Sequence, residues 1–205
     1  MPMTDLRRVH QHFQKNDPKI FSVLQKISTK DFPQPISPNE YFQQLCRAII
    51  GQQLSGKVAD VIGARFTALF PQEKISAEHI LKLQDQQLRD VGMSWAKVRS
   101  IKDLAEKTAR AEIKWQDIPN LSDEKVIAEL VKIKGIGRWT AEMFLLFSLG
   151  REDIFSFGDL GLKKGFMKVY KMGEDVTTAQ IEKRIAKWSP YKSYASLALW
   201  KALDG

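Results

Sequence analysis

The sequence predicts an all-α fold. Apolar side chains recur at helical spacing along most of the chain, and N-terminal capping signals stand before many of those stretches. No segment of five or more residues alternates apolar and polar side chains convincingly between turn signals, so strands are not expected.

Taken in order, stripes at Leu6, Val9 and Phe13, then at Ile20, Leu24 and Ile27, predict two core-facing helices. Ser37-Pro38-Asn39-Glu40 combines a capping hydroxyl, proline at the first helical position and a glutamate able to reach back to the cap amide. The helix it starts carries Tyr41, Phe42, Leu45, Cys46, Ile49 and Ile50 as one stripe. Val58, Ile62, Phe66 and Leu69 form the next, Ser76 precedes a short helix through Leu83, and Val98, Ile101, Ala105 and Thr108 mark another. Ser122 precedes Val126, Ile127, Leu130 and Val131; Thr177 and Gln180 make a capping box; Ser189-Pro190 is expected to open a final helix through Leu203. Nine or ten helices result. Connections are short except at Pro33 to Ser37 and Gly150 to Gly158, and loops of that kind on a rigid scaffold are where chemistry tends to sit.

The 205 residues, 43% hydrophobic and 27% charged, suffice for one sizeable core or two small lobes. Lys and Arg number 32 against 24 Asp and Glu, a formal charge of +8, which favours a polyanionic partner, nucleic acid before an anionic membrane surface. The longest stretch free of charged side chains is the nine residues between Arg47 and Lys57, far short of the roughly 18 to 20 apolar residues of a membrane span. Met1 to Arg8 has no apolar core of a secretory signal, so an intracellular location is expected, cytoplasm or nucleoid in a prokaryote and nucleus in a eukaryote. The single Cys46 allows neither an intrachain disulfide nor a cysteine-held zinc or iron–sulfur site. His10, His12 and His79 read as solvated helix residues, with no shared face for a metal at His10 and His12.

The most informative run is Val131-Lys132-Ile133-Lys134-Gly135-Ile136-Gly137-Arg138-Trp139-Thr140-Ala141. A helix ends near Lys132, two glycines permit a tight turn, and a second helix begins near Arg138. Bare glycines let a backbone approach another molecule, and the free amides of the following helix favour an anion. One reading is a plain helix–helix turn; the other is a phosphate site, which Lys132, Lys134 and Arg138 favour because charge and amides then select the same ligand. A dinucleotide fingerprint is weaker, since a helix rather than a strand precedes and Thr140 stands where a third glycine belongs.

This run resembles the helix-hairpin-helix of the HhH-GPD superfamily of DNA glycosylases, and Phe157-Gly158-Asp159-Leu160-Gly161-Leu162 resembles the loop bearing that family's catalytic aspartate. The AlkA and Mag type 3-methyladenine DNA glycosylases II are most similar, with Ile50 to Ser55 and Pro190 to Ala195 as further matching motifs and Ile36 to Trp200 covered in all. The resemblance implies one glycosylase domain over residues 1–205, built of two helical lobes with a cleft between them and the hairpin at about 123–149. It leaves no room before the helical region for the extra N-terminal β-domain of some AlkA proteins. It further implies a monomer acting on double-stranded DNA that contains damaged bases, with no membrane partner and no required cofactor.

Asp159 has two readings. As a helix N-cap it would stabilise the following apolar helix by about 0.5–2 kcal/mol. As the family's catalytic carboxylate it would stabilise a sugar cation and orient or deprotonate the attacking water. Asp153 is expected to face solvent or cap the preceding turn. Related glycosylases that also cut the backbone carry a lysine nucleophile where this chain has Trp139, and an indole cannot form an imine, so strand cleavage is not expected. Trp139, and Trp200 by motif position, are candidate base-pocket faces that would stack on a cationic alkylated purine; either could instead be core. Trp95, Trp115 and Trp188 read as core. Gln53, or Leu54 if the register shifts by one, matches the family's wedge that fills the gap left by a flipped base, against a turn-capping Gln as the plainer reading. DNA-binding candidates are completed by Lys97, Lys134, Gly135, Gly137, Arg138 and Thr140. The carbonyls of Val131, Ile133 and Gly135 match the family's site for a structural Na+ or K+ ion.

The resulting expectation is a monofunctional enzyme that excises 3-methyladenine- and 7-methylguanine-type bases and so initiates base excision repair. A non-catalytic hairpin module that binds or scaffolds on DNA is the alternative from another class, and a glycosylase for deaminated or mismatched bases is a third.

Overall fold

The computed structural model describes residues 5–28 and 31–204, all-helical with no strand among them. Part of the N-terminal segment read for a leader, residues 1–4, lies outside the described residues. Twelve α-helices, more than the nine or ten expected, are found there: α1 (Leu6–Asn16), α2 (Pro18–Leu24), α3 (Tyr41–Gly51), α4 (Gly56–Thr67), α5 (Ala77–Lys82), α6 (Asp85–Asp90), α7 (Trp95–Ala109), α8 (Asp123–Leu130), α9 (Arg138–Phe147), α10 (Leu160–Tyr170), α11 (Thr178–Ile185) and α12 (Lys192–Asp204). The excess comes from short helices such as α6, whose apolar content is too small to make a stripe.

Two compact units result, one from Met1–Pro35 with Leu145–Gly205 and the other from Ile36–Phe144. In the second, Leu45, Ile49, Ile80, Leu88, Val98, Ile101, Leu104, Val126 and Leu130 are fully buried. Each such side chain contributes about 1.5–3 kcal/mol by leaving water. The Ser37 capping box forms as the sequence predicts, although its first turn is a 3-10 helix that leads into α3. The α4 stripe is narrower than expected: Ile62 and Phe66 are buried, whereas Val58 is exposed. Trp95 is also exposed, and the Arg89 guanidinium lies over its ring. Helical spacing had counted both among core residues; it specifies a face without saying how far that face is covered.

In the first unit, Phe13, Ile20, Leu24, Phe166 and Trp188 pack as a core around one buried carboxylate, Asp17. Asp17 accepts from the Tyr170 hydroxyl at 2.5 Å and the Trp188 indole at 3.0 Å, which satisfies a charge that would otherwise be costly inside. His12 is not simply solvated, because Nε2 meets the Lys187 carbonyl at 2.9 Å and its ring packs edge-on against Tyr191. His10 likewise packs edge-on against Phe21. The final helix begins at Lys192, two residues beyond the expected Ser189-Pro190 start. Asp153 supplies its cap from a distance, accepting from the Lys192 amide at 3.2 Å and the Ser189 hydroxyl at 2.9 Å. That corrects the expectation of a solvent-facing or locally capping residue.

Candidate functional site

The hairpin belongs to the second unit. Between α8 and α9, Gly135 takes φ +78°, and a Cβ there would collide with the Ser100 hydroxyl of α7. This glycine is required by the fold. Gly137 differs: its φ is not in the left-handed region, and a Cβ would meet nothing within 4 Å. Its bare surface faces open space beside the first amides of α9, which lack intrahelical acceptors.

Two side chains from elsewhere in the unit brace the turn. Gln52 donates through Nε2 to the Gly135 carbonyl at 2.9 Å and to the buried Thr140 hydroxyl at 3.4 Å. Asp103 of α7 accepts the Lys134 amide at 2.9 Å and the Lys107 ammonium at 3.1 Å. Burial pushes the Asp103 carboxyl upward, but the Lys134 amide and Lys107 ammonium outweigh it and hold the group below the usual carboxylate range. Neither residue was singled out from the sequence. Gln52 stands beside Gln53 in the motif already noted, and only the fold distinguishes the two.

The flanking cations are less free than a count of charge implies. Arg138 makes a forked pair with Glu124 at 2.6 and 3.1 Å and also donates to Glu142 at 2.9 Å, contacts that raise its already high pKa. Lys132 pairs with Glu129 at 2.8 Å, and Lys134 lies 3.6 Å from Asp103. Lys97 donates to the Ile50 carbonyl at 2.7 Å, occupying the C-terminal end of α3, and partial burial lowers its pKa. An anion at this turn would therefore meet backbone amides before any unpaired cation.

Gln53 is exposed at φ +56° in the turn between α3 and α4, while Leu54 is half-buried with its amide on the Gly51 carbonyl at 3.2 Å. Of the two wedge candidates, Gln53 is the one that projects. Trp139, in the first turn of α9, is 45% exposed and so is not a core residue. The suggested cation site can be tested against the same turn. Ile133 O accepts the Ile136 amide at 3.1 Å and Gly135 O accepts Gln52, and each carbonyl has a second lone pair. Neutral oxygens of this kind fit a monovalent ion. Among the described residues no cluster of three or more His, Cys, Asp or Glu side chains is placed to hold a metal, and burial pushes the Cys46 thiol up, away from the thiolate form a metal would need.

Asp159 lies in the first unit, before α10. Its Oδ1 accepts the Leu162 amide at 2.8 Å, so the N-cap reading is correct. The same oxygen also accepts Trp200 Nε1 at 3.1 Å, a contact that capping does not need. The carboxylate is 9% exposed, at the edge of a recess lined also by Ser156, Phe157, Lys163 and Thr178. Gly165 allows α12 to approach α10 closely, since a Cβ there would strike the Leu199 carbonyl. Trp200, half-buried, stacks on Phe147 with centroids 5.8 Å apart. A partly dehydrated carboxylate with fixed orientation suits the stabilisation of developing positive charge.

A helical hairpin with an amide-lined turn in one unit and a loop aspartate at a helix start in the other define a base excision scaffold, and the comparisons agree. The model of the HhH-GPD superfamily of base excision DNA repair proteins matches residues 46–190. The chain belongs to that superfamily. It is 30% identical to DNA-3-methyladenine glycosylase 1 of Schizosaccharomyces pombe over 97% of this chain and 88% of that protein. It is 34% identical to the DNA-3-methyladenine glycosylase of Saccharomyces cerevisiae over 77% of this chain, but spans only 57% of that relative, as it spans 58% of a Bacillus subtilis one. Among solved structures, S. pombe Mag1 in complex with abasic DNA superposes with a TM-score of 0.81 at 29% identity, covering 95% of each chain.

Proposed function

We propose that this protein is a monofunctional DNA glycosylase that releases alkylated purines from duplex DNA and so initiates base excision repair within the cell. The observation that carries the reading is the Asp159 carboxylate, held by two donors on one oxygen at a helix start. A helix cap in a pure DNA-binding module accounts for the Leu162 amide but has no use for the second donor, Trp200.

In the proposed reaction the C1′–N bond breaks with its electron pair moving to the base. Alkylation at N3 or N7 leaves the purine positively charged, so this departure neutralises it and needs no strong general acid. Asp159 stabilises the oxocarbenium-like sugar by charge and orients the water that forms the new C1′–O bond, whose proton passes to the carboxylate or solvent. Amides beyond Gly135 hold one backbone phosphate, with Gly137 providing clearance, and Arg138 can exchange an exposed carboxylate pair for the phosphate because such pairs are weak. A monovalent ion on the Val131, Ile133 and Gly135 carbonyls would add positive charge to the same place. Gln53 fills the gap left by the flipped nucleotide, and the exposed face of Trp139 stacks on the cationic base. With tryptophan in that position no imine forms, and the product is an abasic site in an intact strand.

The test is chromatography of bases released from methylated duplex DNA, with the strand run on a gel before and after alkali. Release of methylated purines with cleavage only after alkali is expected. DNA binding without release would instead favour the non-catalytic module.

A further inference from the structure

We infer that Trp200 is a positioning residue, acting through the Asp159 carboxylate by way of its indole N–H. The inference rests on the proposed role of Asp159. Three features point to it. Trp200 Nε1 and the Leu162 amide both donate to Oδ1, at 3.1 and 2.8 Å, so one carboxylate oxygen is fixed from two elements. Gly161 keeps space for this contact: a Cβ there would lie 3.0 Å from Asp159 Oδ1 and from Trp200 Cδ1 and Nε1. Phe147 stacks on the indole at an interplanar angle of 25°, fixing the plane in which the N–H points.

A tryptophan used only to fill volume satisfies its N–H as Trp188 does on Asp17, but needs no glycine kept bare beneath its N–H edge. A tryptophan used only as a stacking wall would be indifferent to the ring nitrogen. Here Gly161 and Gly165, one turn apart on α10, admit α12 closely enough for the indole edge to reach the carboxylate. A hydrogen bond to this oxygen restricts the rotation of the carboxylate and fixes its orientation, the property that stabilisation of a sugar cation requires.

The experiment compares the parent protein with Trp200→Phe, which retains an aromatic ring against Phe147 but has no N–H, and with Gly161→Ala, which crowds the contact while leaving the Trp200 indole in the sequence. A third variant carries 3-benzothienylalanine at position 200, an isostere with sulfur in place of N–H. Single-turnover base release should fall roughly 10- to 100-fold in all three, by equal factors for cationic 3-methyladenine and neutral hypoxanthine, while affinity for an abasic-site duplex stays within about twofold of the parent. Unchanged release by the benzothienyl variant would overturn the inference, as would a loss confined to cationic bases, which would assign Trp200 to stacking. Asp159→Asn is measured in parallel. If it retains release, the catalytic reading of Asp159 fails; if it is inactive while the Trp200 variants are normal, only the positioning role fails.

Discussion

The two glycines of the hairpin serve different purposes, and substitution should separate them. At Gly135 an alanine must adopt φ +78°, which costs about 1–2 kcal/mol for an L residue. It must also displace the Ser100 hydroxyl, whose hydrogen bond to the Ala96 carbonyl spans 3.0 Å and is worth about 0.5–1.5 kcal/mol. The sum is about 1.5–3.5 kcal/mol, which for a chain of this length corresponds to a fall in Tm of roughly 3–14 °C. Adding Ser100→Ala should recover the part due to the clash and leave the backbone part. A Cβ at Gly137 meets nothing within 4 Å beyond its chain neighbours, so the Tm of Gly137→Val should stay within about 2 °C of the parent. Its isopropyl group instead occupies the space proposed for a phosphate. Fluorescence anisotropy with two unrelated duplexes should show about tenfold weaker binding to both, with the slope of log K against log salt smaller by about one. Full affinity in Gly137→Val, or an unaltered Tm in Gly135→Ala, would refute this division of roles.

Trp139→Leu should slow release of 3-methyladenine or 7-methylguanine more than that of hypoxanthine from the same duplex, because an indole–cation contact is worth roughly 0.5–2 kcal/mol; equal slowing in single-turnover rates would reduce Trp139 to a packing residue. Asp103→Asn removes a charge whose folded pKa is depressed, so the wild-type advantage should be present at neutral pH and decline as pH falls through the carboxylate range to below about 4. Denaturation of both proteins from pH 7 to pH 3 checks this. A gap that widens on acidification would contradict the assigned ion pairing.

Local features of the site were legible because they depend on neighbours in sequence. The Thr177 capping box, the glycine pair of the hairpin and the aspartate before an apolar helix each lie within a few residues, and each forms as expected. The parts that orient these groups were not legible. Gln52 reaches Gly135 across 83 residues, Asp103 reaches Lys134 across 31, and Trp200 reaches Asp159 across 41. Such pairings depend on how helices pack, which periodicity does not specify. Charge was misread for the same reason: Arg138 and Lys134 add to the net positive count but already face Glu124 and Asp103. Resemblance singled out Trp200 by motif position, yet the direction of its N–H emerged only with the placement of α12 beside Gly161.

The central claim is that the charge on Asp159, rather than its shape or its cap, releases the base. Asp159→Asn preserves volume and an oxygen able to accept from the Leu162 amide while removing that charge. Single-turnover excision of 3-methyladenine from a defined duplex, with binding to the same duplex measured alongside, should show release lower by at least about 100-fold and affinity essentially unchanged. Release within a few-fold of wild type at unchanged affinity would contradict the claim and leave Asp159 as a helix cap.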